Sequence, residues 1–296
     1  MRVAAALTLA LTLIGAEVAS TPVPRAASKT VVIFGDSQSD NCNVWRSQGG
    51  SSAAAQYPWP SCPSPPTGRA MAAPVWGERL KSQNPSWDVQ IFAQRGSVAD
   101  NNHFTTTSSP PDLAAQVRLY FTQYGGRSYQ AKIITPAAST WAVTQLAGGN
   151  DIESAITDSR GTVANDISAL RTQYQLLMNA GFRNFVQFDM YDYSTNPHWR
   201  SSSRKSDVVT YVNNYNSQLK TLVNQLNSRG QGTVKIFPFS SLVKSIQSNP
   251  GQYGIKNTKD ECENLSSCSG YLWYDDRHFA TDIEPIIAQH VASYTS

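Results

Sequence analysis

Four consecutive apolar residues, Val31, Val32, Ile33 and Phe34, cut off by Gly35, constrain the fold of this chain more than any other stretch. An apolar, largely β-branched run with no polar alternation reads as a strand buried on both faces, as in parallel sheets covered by helices. Gly35 starts a turn, and Asp36, Ser37, Ser39 and Asp40 follow as turn and helix-cap residues. Such a turn delivers Ser37 to the carboxyl end of a sheet, the edge where open α/β folds bind ligands. There Ser37 suits a nucleophile whose own N–H can donate toward an oxyanion. Taken alone, Gly-Asp-Ser equally suits a plain helix cap.

The pattern recurs along the chain. Further strands are predicted over 88–92, 140–146, 184–189 and 233–238, and helices over 72–82, 112–123, about 160–180, 207–228, 239–247 and 281–294. Five strands alternating with helices predict a right-handed, mostly parallel sheet covered on both faces, an α/β/α sandwich forming one domain over 30–296. The chain of 296 residues suits a single domain of that class. Two more strands end in Gly and polar residues: Gln94-Arg95-Gly96-Ser97 after the second, and Gly148-Gly149-Asn150-Asp151 after the third.

A serine nucleophile needs a base, and the chain has four histidines. His290 falls inside the last helix. His198 lies in Asn-Pro-His-Trp with no carboxylate at matching spacing. His103 sits in a loop where it reads as solvated, with substrate contact as the sharper alternative. His278 has an aspartate three residues before it, in the edge loop Tyr274-Asp275-Asp276-Arg277-His278. That spacing lets Asp275 fold back onto Nδ1, which fixes the tautomer and leaves Nε2 free. Asp276 is the second choice for this carboxylate.

Residues 1–20 carry Arg2, an apolar run to Gly15 and small residues at Ala16, Val18, Ala19 and Ser20, the form of a secretory signal peptide cleaved near 16–20. The run is too short for the ~20 residues of a membrane span, and residues 21–29 form a short lead-in. An extracellular destination suits the four cysteines. Three pairings are possible, and Cys42–Cys62 with Cys262–Cys268 is favoured because each would staple a loop beside the proposed site. Zinc is the alternative, but there is no Cys-x-x-Cys spacing and no adjacent histidine. Asn264-Leu265-Ser266 is an N-glycosylation sequon inside the second cysteine loop. Residues 41–67 read as a long ordered loop in which Trp45, Tyr57 and Trp59 could stack on a sugar ring, pack on an acyl chain, or simply pack beneath the loop. The net charge of +3 comes without a basic cluster, which argues against nucleic acid. A monomer without stable membrane insertion is the default expectation.

Together these motifs resemble the GDSL/SGNH hydrolase superfamily, in particular a secreted, fungal acetylesterase- or lipase-like branch. Gly-Asp-Ser-Gln-Ser-Asp resembles its first block, Phe-Ala-Gln-Arg-Gly-Ser its second, Gly-Gly-Asn-Asp its third and Asp-Asp-Arg-His its fifth. Residues 66–76 resemble a stretch between the first two blocks. The resemblance spans 31–290 and implies a flavodoxin-like fold. It also implies Ser37, His278 and Asp275 as a triad, with Ser37 N–H, Gly96 N–H and the Asn150 amide around the oxyanion, and a reaction that needs no metal or cofactor. Arg95 stands where the family usually has a small residue and could alter the pocket wall. Phe279 stands where Pro commonly follows the histidine. The function expected is hydrolysis of small-molecule or polysaccharide esters, foremost acetylated sugars. A lipase or lysophospholipase on longer acyl chains is the second reading, and a sugar-binding protein that keeps the scaffold without catalysis the third.

Overall fold

The computed structural model describes residues 28–45, 74–105, 110–124, 139–145 and 148–295. The expected signal peptide, Tyr57, Trp59 and Cys62 lie outside the described residues, as does the side chain of Trp45.

The chain begins its sheet with β1 (Lys29–Phe34), followed by a single helical turn α1 (Asn43–Trp45), α2 (Trp76–Gln83) and β2 (Trp87–Ile91). Next come α3 (Asn101–Phe104), α4 (Leu113–Tyr124), β3 (Thr140–Thr144), α5 (Gly149–Thr157), α6 (Val163–Asn179) and β4 (Asn184–Phe188). Then follow α7 (Pro197–Arg200), α8 (Lys205–Ser228), β5 (Thr233–Phe237) and α9 (Phe239–Ser248). Two short strands, β6 (Asn257–Glu261) and β7 (Tyr271–Trp273), and α10 (Glu284–Tyr294) complete the order.

Strands β1 to β5 form one sheet in the order β2-β1-β3-β4-β5, and every neighbouring pair is parallel. The first apolar run is therefore central, and Val31, Val32, Ile33 and Phe34 are all fully buried. Side chains alternate faces along a strand, and the neighbours divide accordingly. On one face Ile33 and Ile91 meet α2 at Gly77, where a Cβ would stand 2.8 Å from both Cδ1 atoms. On the other, Phe34 and Phe92 pack their rings against Tyr120 of α4. Helices α2 and α10 pack together, and α4, α6 and α8 form a row. A five-stranded parallel sheet between two helical layers follows, as the alternation predicts.

Three features differ from the sequence reading. Helix α2 starts at Trp76 rather than 72, after Val75 as its N-cap. Gly-Gly-Asn-Asp opens α5 instead of a loop, with Asp151 turning back to accept the Gly148 N–H. The pair β6–β7 lies outside the main sheet, and the polar run Asn257–Glu261 carries no strand periodicity to reveal it.

Candidate active site

Ser37, Gly96 and Asn150 come from the carboxyl ends of three adjacent strands, β1, β2 and β3. Gly35 holds the first turn open at its base. Its N–H donates to Gln116 Oε1 at 3.0 Å, and its carbonyl accepts from Gln116 Nε2 at 2.9 Å. Ser39 Oγ donates to Gln145 Oε1 at 2.7 Å and accepts from Trp76 Nε1 at 2.8 Å. Asp40 takes the Arg95 N–H at 2.7 Å, together with those of Asn43 and Val44, so the first block fastens the second. Asp151 does the same for the third, accepting from Ala99 N at 2.7 Å as well as Gly148 N. Burial pushes the carboxyls of Asp36, Asp40 and Asp151 up to about 6, against the hydrogen bonds they accept.

Gly96 adopts φ +84°, a left-handed conformation open to glycine at little cost, and an added Cβ would stand 3.0 Å from Pro110. The conformation is set by a tight turn in which Ser97 N–H donates to the Gln94 carbonyl. Gly148 is glycine for lack of room: a Cβ there would lie 2.4 Å from Tyr193 Oη. Asn150 donates one amide hydrogen to the Ser97 carbonyl at 2.9 Å, which fixes the amide plane. The N–H groups of Ser37 and Gly96 have no partner among the described residues.

The turn 275–278 hangs from β7. An antiparallel bridge joins Trp273 to Phe279, and Tyr274 N–H donates to the His278 carbonyl at 2.8 Å. Inside the turn Asp275 Oδ1 accepts the N–H groups of Arg277 and His278 at 2.9 and 2.7 Å. His278 Nδ1 lies 2.7 Å from Asp275 Oδ2, and His278 Nε2 lies 2.8 Å from Ser37 Oγ. Burial works to raise the Asp275 carboxyl, but the hydrogen bond and charge of His278 and the two N–H groups outweigh it and hold the carboxyl below its ordinary value. Asp276 turns away from His278 to His198. The Cys262–Cys268 disulfide closes a loop whose Cys262 and Glu263 N–H groups both donate to the Tyr274 carbonyl. Cys42 is disulfide-bonded.

The three strand ends and the turn surround one cavity of about 120 Å³. Arg95 lines it, and its charge acts to lower the pKa of the Asp40 carboxyl. His103 stands elsewhere: it is exposed, 3.7 Å from Asp100, and is not part of the cavity wall, because α3 buries Phe104 and leaves His103 outward. His290 is exposed on α10. Sequence reasoning missed Tyr193, Asn196 and Trp199, which complete the wall. The signal was topological: β4 ends at the same edge as β1 to β3, so the segment after it had to pass the site. His198 was dismissed for want of a local carboxylate, yet it is flanked by Glu153 and Asp276, 45 and 78 residues away.

A family model for GDSL-like lipases and acylhydrolases matches residues 31–291. No curated protein matches the sequence closely enough to stand as a relative. Among solved structures, a protein described as a GDSL-like lipase, from Parabacteroides merdae, superposes with a TM-score of 0.52 at 12% identity, covering 90% of this chain and 95% of its own. An α/β hydrolase, LAE5, from the metagenome of Lake Arreo gives 0.49 at 14% identity, covering 91% and 96%. An acetylxylan esterase, Axe2, from Geobacillus stearothermophilus gives 0.45 at 10%, covering 92% and 95%. The first of these likenesses bears on the fold alone. With the family model spanning nearly all of the described chain, the protein belongs to the GDSL-like lipase/acylhydrolase family and is an ester-hydrolysing enzyme.

Proposed function

We propose that the protein is a secreted serine esterase that removes short acyl groups, foremost acetyl, from sugars or other small alcohols. The observation that carries this reading is the unbroken line Asp275–His278–Ser37, with contacts of 2.7 and 2.8 Å, facing two unpartnered N–H groups across a small cavity. His278 Nε2 accepts the Ser37 proton as Oγ attacks the ester carbonyl. The oxyanion is held by the N–H of Ser37, the N–H of Gly96 and the second amide hydrogen of Asn150, each such donor being typically worth ~10²–10³ in rate. His278 then protonates the leaving alcohol. Water, deprotonated by the same nitrogen, cleaves the acyl-enzyme and regenerates Ser37. Asp275 remains a carboxylate throughout, in keeping with its lowered pKa, and keeps the imidazole oriented.

The cavity's volume of about 120 Å³ beside Ser37 is in keeping with a short acyl group. Arg95 in the wall is a substrate contact in this reading. Secretion rests on the signal-like residues 1–20; Asn264 stands exposed, as a glycosylated sequon must. N-terminal sequencing of the mature protein would find the start near residues 17–21.

The deciding experiment is hydrolysis of nitrophenyl acetate and nitrophenyl octanoate by the wild type and Ser37→Ala. Ser37-dependent preference for acetate supports the reading. Ser37-dependent preference for octanoate moves the assignment to the lipase side. Activity that persists in Ser37→Ala removes the serine mechanism altogether.

A further inference from the structure

Glu153, His198, Asp276 and Arg277 form a charged cluster against the outer wall of the cavity, outside the Ser37–His278–Asp275 line. His198 Nδ1 lies 2.8 Å from Asp276 Oδ2, and His198 Nε2 lies 3.0 Å from Glu153 Oε2. Arg277 lies against the same ring, with Nη2 3.0 Å from His198 Nε2, and it reaches Glu153 Oε2 through Nη1 at 3.2 Å and Asp276 Oδ1 through Nε at 3.5 Å. The backbone joins in, as His198 N–H donates to the Asp276 carbonyl at 3.0 Å.

The origin of each member gives the cluster its meaning. Glu153 stands on α5 three residues after Asn150, one helical turn along the same face. Asp276 and Arg277 are the two residues between Asp275 and His278. His198 comes from α7, a separate segment. The cluster thus ties the helix that presents the Asn150 amide to the turn that presents the His278 imidazole, by a route that bypasses Ser37. Asn150 is otherwise anchored through Ser97, and the turn through Gln38 Nε2 to the Arg277 carbonyl, so neither of these ties joins the two directly.

We propose that this cluster is a positioning device, with His198 at its centre, that sets the distance between the oxyanion donor Asn150 and the base His278. The proposal rests on the serine-esterase reading of those two residues. The four side chains are 24% to 43% exposed, and ion pairs so placed contribute little to global stability. Their loss is felt instead where a displacement of an ångström matters, in the rate of the chemical step.

The test is steady-state hydrolysis of nitrophenyl acetate by the wild type, Glu153→Gln, His198→Ala and the double variant, with thermal melts alongside and Ser37→Ala as control. Each single variant should lower kcat about tenfold with KM changed less than about twofold, and the double variant should be no worse than the poorer single, because the members act as one unit. Melting temperatures should stay within a few degrees of the wild type. Glu153→Gln, on a half-exposed helix face, decides the matter alone if His198→Ala does not fold. Unchanged kcat in the variants overturns the proposal, as does a fall in kcat that only tracks a fall in melting temperature or a rise in KM. If Ser37→Ala stays active, the serine reading falls and takes this proposal with it. If Ser37→Ala is dead and the cluster variants are unimpaired, this proposal falls alone.

Discussion

Ser37 and His278 meet at 2.8 Å, but the turns that carry them are built from different materials. The Ser37 turn is held in the buried interior: the Gln116 amide on Gly35, the Ser39 hydroxyl between Gln145 and Trp76, and the buried carboxyls of Asp36 and Asp40 on backbone N–H groups. The His278 turn is held at the surface by charge: Asp275 on its own backbone, and Asp276 and Arg277 in the cluster with Glu153 and His198. Buried hydrogen bonds cannot be loosened without opening the core, whereas half-exposed ionic ones respond to salt and substitution while the fold stands. The proposed nucleophile is thus tied to the stability of the protein, and the proposed base to its electrostatic surroundings.

The sharpest way to press that difference is Asp275→Asn. An amide there turns the imidazole to the wrong tautomer, and kcat should fall by roughly 10³–10⁴ with the melting temperature little changed. Esterase assays beside thermal melts would check it, and a large loss of stability would erase the distinction drawn between the two turns.

On the Ser37 side, Gln116→Leu strands the N–H of Gly35, whose carbonyl keeps the Gln94 N–H at 3.0 Å. The expected cost is about 1–3 kcal/mol of stability, read by denaturant unfolding, with activity lost only in proportion to folded protein. A specific kcat defect in the folded fraction would show that this turn, too, can be detuned without unfolding.

The buried acids around the first turn make a further difference. Folding raises Asp36, Asp40 and Asp151 to about 6 and, by burial, Glu284 to about 8 where it accepts the Trp76 N–H. Between their ordinary values and these raised ones the unfolded chain binds fewer protons than the native state, so stability falls as pH rises. The window runs from about 4 to about 6 for the aspartates and on to about 8 for Glu284. The melting temperature should be higher at pH 5 than at pH 8, by about 2–4 °C for each kcal/mol involved. A melting temperature that rises over this window would contradict the burial of these groups. The smallest effect concerns salt: at 1 M, where screening acts within ~3 Å, kcat should drop less than about twofold while stability holds.

Much of this was legible in the chain. The run 31–34 announced a parallel sheet because four apolar residues in a row must be covered on both faces. Ser37, Asp275 and His278 could be singled out from local patterns, a strand broken by glycine and an aspartate three residues before a histidine, although Asp100 and His103 share the second pattern away from the cavity. Local reading failed where partners come from elsewhere. His198 shows no neighbour of opposite charge in sequence, since folding alone brings Glu153 and Asp276 to it. Helix α5 was hidden by its two opening glycines, although Asp151 at its third position and Ile152 with Ile156 on its buried face were cues in the sequence. Aromatic residues 57 and 59, given a substrate role in the sequence reading, lie outside the described structure.

The contact between Ser37 and His278 spans 241 residues. At ribosomal speeds of about 5–20 residues per second, roughly 10–50 s separate the synthesis of Ser37 from that of His278. During that interval the nascent chain carries the serine without the imidazole proposed to activate it. Loss of residues 275–296 would leave all five strands of the main sheet and neither member of the Asp275–His278 pair.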